Sequence, residues 1–527
     1  MLNALIVGSG PAAAAVALAL ARRPDVRVTV IDVGLRLESE RQMALDLLST
    51  VAPDRWRPDE LRLVSTEPLM PDVQGLPQKR SYGSDFPFRD VGQMASVRTG
   101  NDVQRSMISA AYGGFSNVWG AQLMPYTNAT FDAWPIDGAD MGRHYRAVLD
   151  HVPLAGEGDD LARLFPLIGS PRPLPALSQR SVRVLDAYDR HRTALNRLGI
   201  TVGKARLAFE PSRCARCGLC MTGCPYGLIY SASQTFDQLR RWGRVIYHAG
   251  LLAQTVEEKG ERVLVRATDV GTGEQRRFEA DRLYIACGAL GSTRLVLGSL
   301  GIFDKEFTLA ESAQFTLPAL SSRPVADPRN ERQFTLNQFN MIVALDERGL
   351  EVSQLHFYTY DPAFIKAMPK LFRAEIVLGR ILERLTVAVG YLPSWASPRL
   401  RVQARPAAAG GLPDLHISRE RPDWRHNPML RRVLRKVLRA APHLDLYPVI
   451  PRMILAGGGK SYHFGGSFPH TANPGTLASS DRLGRVGPWK RVHLVDAAVF
   501  PTVAATTFTF TIMANAHRIA TESLELA

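Results

Sequence analysis

Four of the five cysteines in this chain fall in one short run, Cys214, Cys217, Cys220 and Cys224, with Pro225 directly after them. The spacing C-x2-C-x2-C-x3-C-P is that of bacterial ferredoxins. Thiolates two residues apart on tight turns converge on one small inorganic centre, and Gly218 and Gly223 allow the backbone to wrap it. An iron–sulfur centre moves single electrons, so the rest of the chain is expected to contain a group that needs them moved. The spacing leaves the ligand set open. In two-cluster ferredoxins the cysteine before the proline serves the other cluster, and this chain has too few cysteines for two cubic clusters. Either Cys224 folds back as the fourth ligand of a 4Fe-4S cluster, or Cys287 or a non-cysteine group supplies it, or the cluster is 3Fe-4S. Tetrahedral zinc also suits four thiolates. Cys287 reads as a small buried residue.

A second constellation stands at the N-terminus. Leu5-Ile6-Val7 reads as a buried strand, followed by Gly8-Ser9-Gly10-Pro11-Ala12-Ala13, an alanine-rich helical run to Arg22, and a second strand, Val26 to Ile31, ending at Asp32. Strand, glycine turn, helix, strand and acid in this order make a dinucleotide-binding unit. The glycines let the backbone approach a pyrophosphate, the helix N-terminus offers free N–H groups, and Asp32 accepts from ribose hydroxyls. Ala13 stands at the third glycine position, which the pattern tolerates.

These two constellations need a scaffold. A chain of 527 residues, 46% hydrophobic, is expected to form two or more globular domains. It contains no run of about eighteen uncharged apolar residues, so a spanning helix is not expected. The first strand begins almost at Met1, leaving no room for a secretory or twin-arginine leader. A cytoplasmic location is therefore expected, where reduced thiols suit cluster ligation better than disulfides. The net charge is +14. Part of the excess lies in Leu430 to Arg439, where Leu430, Val433, Leu434, Val437 and Leu438 form an apolar stripe opposite Arg431, Arg432, Arg435, Lys436 and Arg439. A surface helix over 425–440 with a solvated basic face accounts for it. An anionic substrate or partner, or peripheral contact with an acidic membrane, is the sharper alternative. No recognition motif supports nucleic-acid binding.

Further signals are spread along the chain. Ala111 to Gly120, AYGGFSNVWG, has the small residues that let a backbone lie against a flat ligand. Val245 to Val270 reads as strands with a turn at Glu258-Lys259-Gly260. Arg282 to Thr293, RLYIACGALGST, reads as a buried strand that breaks at Cys287-Gly288 into a helix. The C-terminal part holds HFGGS at His463 to Ser467, VHLVD at Val492 to Asp496, and a last segment from Pro501. Between these blocks, Gln338 to Leu345, Val352 to Tyr360 and Thr386 to Leu392 read as strands of a half-exposed antiparallel sheet. The apolar stretch Phe372 to Leu392 reads as core packing, with a membrane-touching entry helix as the alternative.

Taken in order, the N-terminal fingerprint, the segment Gly113 to Gly120, the motif Ala286 to Leu295, HFGGS and the closing motif from Leu494 and Asp496 through Pro501 make the chain resemble the glucose–methanol–choline (GMC) flavin oxidoreductases. The resemblance covers most of the chain and implies FAD rather than NAD. It implies an α/β fold: a doubly wound, Rossmann-like FAD-binding domain over 1–125, 236–300 and 456–527, interrupted by an α+β substrate domain over 126–204 and 301–455 with an antiparallel sheet. The iron–sulfur insert at 205–235 is not general in that family. Carried onto matching positions, the resemblance assigns cofactor contacts to Gly8, Gly10, Pro11, Ala12 and Asp32; to Gly114, Ser116, Trp119, Gly120 and Gly288; and to Asp496, Thr506 and Phe508. The segment Gly113 to Gly120 lacks the histidine that some members use to bond flavin covalently, so FAD is expected to be non-covalent.

The implied chemistry is alcohol oxidation by hydride transfer to flavin N5, with His463 matching the family's catalytic histidine. A neutral imidazole titrates in the range a base for the hydroxyl proton needs. Alignment on Pro501 places Thr507 where the family has a second histidine or an asparagine. Threonine hydrogen-bonds a substrate oxygen but is no base, so His463 is expected to carry the proton alone. His470 and His517 read as structural. The expected substrate is a sugar or polyol hydroxyl, with a sterol or other apolar alcohol as the alternative. The expected partner is an electron-acceptor protein or carrier that takes electrons from the cluster. A relay protein without an organic substrate is the rival from another class, and the intact His463 motif argues against it.

Overall fold

The computed structural model describes residues 1–65, 73–303, 305–361, 364–365, 368, 373–408, 410–420, 426–475 and 477–525. Its architecture is mixed α/β. A five-stranded parallel sheet runs in the order Val492–Leu494, Arg282–Ile285, Leu2–Val7, Val26–Ile31, Val245–His248. Leu2–Val7 is central, and its last four residues are buried. Ligands of open parallel sheets bind beyond the carboxyl ends of the strands, which here are Val7, Ile31 and Ile285. Helix Pro11–Ala21 leaves the first of these ends. Ala12 to Leu20 are all buried, because the helix is held against the sheet and against helix Thr509–Glu525. A helix that is apolar all round must be covered on all sides.

An antiparallel three-stranded ribbon, Leu251–Lys259, Arg262–Asp269 and Gln275–Ala280, is inserted between the parallel strands Val245–His248 and Arg282–Ile285. On the other side of the molecule stands a seven-stranded antiparallel sheet. Its main path is Tyr447–Pro448, Gln314–Leu320, Leu385–Tyr391, Val352–Tyr358, Phe339–Ala344, Ile200–Lys204, and Ile454–Leu455 pairs with Gln314–Leu320. The strands expected from the sequence at 338–345, 352–360 and 386–392 are present, but they are not half-exposed. Val352 to Phe357 are buried without a break, because helices Gln179–Arg197 and Pro428–Leu444 cover one face while residues on the other line the central cavity. A strand covered on both faces shows no polar alternation. A second five-stranded sheet has the order Phe464–Gly465, Glu306–Glu311, Leu400–Arg405, Asp414–Arg419, Val97–Thr99.

The basic helix runs from Pro428 to Leu444, capped by the Asn427 side chain. Its Leu430, Val433 and Val437 pack into the core of the seven-stranded sheet. Two of its cations are used locally: Arg432 donates to the Leu345 carbonyl and Lys436 to that of Ala344 (2.8 Å). Residue 425 lies outside the described residues, as does Phe372. Of the apolar stretch that follows Phe372, helix Glu375–Leu382 buries Leu378 and Leu382 and leaves Ile376 exposed. No helix among the described residues is long and apolar enough to cross a membrane.

Candidate active site and cysteine loop

The glycine turn is built for contact with a ligand. Gly8 has φ +102°, and a Cβ there would lie 2.5 Å from the Ala286 carbonyl oxygen, so glycine is required by the neighbouring strand. Gly10 is different: its backbone is extended (φ −71°, ψ −177°) and a Cβ would meet no protein atom within 4 Å. It opens onto a cavity of about 440 Å³ at the carboxyl ends of the parallel strands. Gly114 approaches from the opposite wall, within 3.3 Å of the Gly10 Cα by the same measure. Gly288 caps helix Ala289–Ser299 with φ +77° and likewise faces open space. Two helix N-termini and two glycine backbones thus bound one volume, a cradle suited to a pyrophosphate.

Asp32 stands at the cavity edge. Its carboxylate accepts from Ser9 and, at 3.0 Å, from the Tyr247 hydroxyl. Burial pushes it up to about 6 against those hydrogen bonds. Asp496 accepts from Ser292 and from the Ala498 N–H (2.9 Å), and burial pushes it also to about 6. Pro11, Ala12, Ser116, Trp119, Gly120 and Phe508 line the same cavity. Ser116 is committed to structure, donating to the Gly113 carbonyl (2.6 Å) and accepting from the Ala232 N–H (2.9 Å). Thr506 is buried but does not line the cavity.

His463 faces the cavity on a tightly specified turn. Tyr462 before it adopts φ +56°, and the Ser461 hydroxyl accepts from the His463 N–H (3.0 Å). The glycines of HFGGS are needed because a Cβ on Gly465 would strike the Ala497 carbonyl and one on Gly466 would lie 2.6 Å from the Phe500 carbonyl. The imidazole lies on Tyr391 (4.8 Å, 24°) and against Phe508 (4.9 Å). Burial depresses it to about 4, so it is neutral at pH 7. Its Nδ1 is buried without a hydrogen-bond partner, and such an atom costs ~1–3 kcal/mol unless a ligand satisfies it. Thr507 also lines the cavity, its hydroxyl donating to the Gln122 carbonyl (3.3 Å). His470 and His517 lie elsewhere: His470 bonds the Asp481 carbonyl (2.6 Å) and Asn515 (3.2 Å), and His517 pairs with His144 (2.9 Å).

Sequence reasoning missed a second histidine in the cavity. His356, on strand Val352–Tyr358, packs against the other side of the site at 5.0 Å from the Tyr391 ring. It is buried, its Nε2 has no hydrogen-bond partner, and burial together with the nearby His463 depresses it to about 3. No motif surrounds it, and the strand carries no other signal for it. Lys79 was missed as well. It lines the cavity, donates to the Trp119 carbonyl (3.2 Å), and is lowered by burial to about 8, opposed by Asp361 and by Cys220.

The cysteine loop adjoins the same volume, since Met221, next to Cys220, is part of the cavity wall. Cys214, Cys217, Cys220 and Cys224 are free thiols, all raised by burial; neighbouring cysteines raise the last three further, Cys217 to about 11 and Cys220 to about 12. Each sulfur also accepts from backbone N–H groups, for example Arg216 N–H to Cys214 and Thr335 N–H to Cys220, both at 3.4 Å. Half-buried to buried sulfurs ringed by amide donors are what a thiolate-ligated cluster requires. Among the described residues no group of three or more His, Cys, Asp or Glu side chains is arranged to hold a single metal ion. Cys287 stands apart, at the glycine turn, under the influence of Asp496 and Asp32.

The loop is held by remote segments. A Cβ on Gly223 would lie 2.5 Å from the Tyr82 ring, and the Tyr82 hydroxyl donates to the Cys224 carbonyl (3.1 Å). Cys217 pairs with Gln333, and Thr335 bonds both Cys220 and the Gly218 carbonyl.

Comparison with known proteins adds two findings. The sequence model of one family, described as a 4Fe-4S binding domain, matches residues 207–229. Among solved structures, the chain is similar to pyridoxine 4-oxidase from Mesorbium loti (13% identity, 99% of each chain covered, TM-score 0.60). It is also similar to two variants of formate oxidase from Aspergillus oryzae RIB40, in structures concerned with modification of that protein's FAD (13% and 12% identity, 100% of this chain and 98% of theirs, TM-score 0.61). At these identities the likeness is one of fold. No curated protein matches the sequence.

Proposed function

We propose that this chain is a GMC-type, FAD-dependent oxidoreductase that oxidises an alcohol and passes the electrons, through a 4Fe-4S cluster at Cys214, Cys217, Cys220 and Cys224, to an external carrier. One observation carries the reading: a single cavity is walled by the glycine turn, by His463 and by Met221 of the cysteine loop. When bound, FAD supplies the hydride acceptor and the cluster supplies single-electron transfer.

The chain's own residues do the rest. Gly10 admits the pyrophosphate, Gly8 and Gly114 let the backbone segments around it close, and Asp32 accepts from ribose. His463, kept neutral by burial, takes the hydroxyl proton as the carbinol hydrogen departs. Tyr391 and Phe508 hold its ring, and Thr507 offers a hydroxyl but no base. Around His463 and His356 the wall is made by Tyr358, Tyr391, Phe364, Val389 and Leu76. That aromatic and aliphatic lining favours the apolar or ring-bearing alcohol over the sugar suggested by family resemblance.

The test is an anaerobic panel of polyols and aromatic or alicyclic alcohols added to flavin- and iron-replete protein, followed at the flavin band and by iron analysis. Flavin bleaching by an alcohol, with iron bound, is the expected result. Bleaching by none would leave an electron relay.

A further inference from the structure

We propose that Arg213, Arg216 and Arg332 form the landing surface for a small acidic electron-carrier protein, a proposal that rests on the redox reading of the cysteine loop. The loop has two sides. Its inner side contributes Met221 to the cavity wall, whereas Cys214 and Cys217 are only half-buried, and Ser212, Arg213, Arg216 and Gly227 around them are exposed. Electrons that arrive from the cavity therefore have their shortest way out past Cys214 and Cys217.

That outer side is basic by construction. Cys217 and Gln333 form a parallel bridge, so Arg216 and Arg332, one residue earlier on each segment, stand side by side. Both are exposed. Like charges on bridged neighbouring segments repel, and neither these two nor Arg213 has an ion pair among the described residues. The acids nearest in sequence are already engaged: Glu210 with Arg172 and Ser212, and Glu331 with the Gln179 N–H (2.7 Å). Arg216 further adopts φ +51°, uncommon for a residue with a side chain. Three unpaired guanidiniums at the exit of an electron path offer charge-assisted bonds to carboxylates of a partner. The net charge of +14 steers such a partner from a distance. Residues 212–227 expose no large apolar side chain that would insert into lipid. Two carriers reduced by one electron each balance the two electrons withdrawn from one alcohol, whose two protons pass to the protein and solvent.

The test uses holoenzyme with an acidic plant-type [2Fe–2S] ferredoxin as probe and basic cytochrome c as the charge-reversed control. Affinity is read by calorimetry at low salt and at about 0.15 M salt, where exposed charges are largely screened. The expected result is ferredoxin binding that weakens at least tenfold in salt and at least tenfold in Arg332→Glu, with iron content, visible spectrum and dye-linked alcohol oxidation unchanged. Arg332 lies outside the cysteine loop, so this variant reads docking even if Arg213→Glu or Arg216→Glu fails to assemble. Ferredoxin binding untouched by Arg332→Glu in an iron-replete protein, tighter binding of cytochrome c, or arginine-dependent flotation with acidic vesicles would each overturn the proposal. Protein that purifies without iron would instead refute the underlying cluster reading.

Discussion

Gly10→Ala separates a residue the fold needs from one a ligand needs. Gly10 has an extended backbone that alanine adopts, and its Cβ would meet nothing within 4 Å. The apoprotein should therefore be as stable as the parent, or firmer by ~0.4–1 kcal/mol through the reduced freedom of its unfolded chain. The added methyl points into the cavity where a pyrophosphate would lie. Forcing a methyl into a filled contact costs ~1–3 kcal/mol, which weakens FAD by roughly 5- to 150-fold. Melting of flavin-stripped protein gives the first quantity and FAD titration followed by flavin fluorescence gives the second. Gly8→Ala is the contrast: with φ +102° and a backbone oxygen 2.5 Å away, it should lower stability before any ligand is added. Unchanged FAD affinity in Gly10→Ala would refute the placement of the cofactor, and a lower melting temperature of its apoprotein would refute the geometry.

Replacing His463 by alanine should leave FAD binding intact and lower kcat/KM by ~10²–10⁴-fold, the span of a general base, as steady-state kinetics on flavin-replete protein would register. Because burial depresses His463 to about 4 and the base acts when neutral, activity should fall only as pH drops through that value; an acid limb centred near 6.5, the free-histidine value, would contradict it. Cys217→Ser and Cys224→Ser should each lose iron while Cys287→Ser keeps it, by metal analysis and the visible spectrum. Glu311 holds the His463 turn through Gly459 (2.7 Å) and Ser461 (3.4 Å) and lies 3.6 Å from buried Arg419. Glu311→Ala should cost ~1–3 kcal/mol in denaturant melts by leaving the buried Gly459 N–H without its acceptor.

What the sequence made legible was whatever sits on consecutive residues. The glycine turn, the cysteine loop and HFGGS each carry their geometry within a few positions, because tight turns and close backbone approaches dictate glycine locally. His356 and Tyr391 could not be found that way. They meet His463 only through the register of strands whose pairings cross the seven-stranded sheet, and neither carries a local signature. The same strands looked half-exposed because a partner on the second face, here the cavity, leaves no trace in alternation. Lys79 is hidden for a similar reason, being brought to Trp119 and Cys220 by an irregular segment. Thr506 is the converse case: next to a cavity residue in sequence, it is buried and does not line the cavity.

The cradle around the cysteines also fixes when the metal centre can be completed during biosynthesis. Thr335, whose amide bonds Cys220, is translated 115 residues after it. A nascent chain that has just exposed its thiols still lacks the segment around Gln333 and Thr335 that pairs with the loop. The amide donors that surround the four sulfurs are thus complete only after Thr335 has joined the loop, so the environment of a cluster held there is finished by tertiary folding and not by the cysteine run itself.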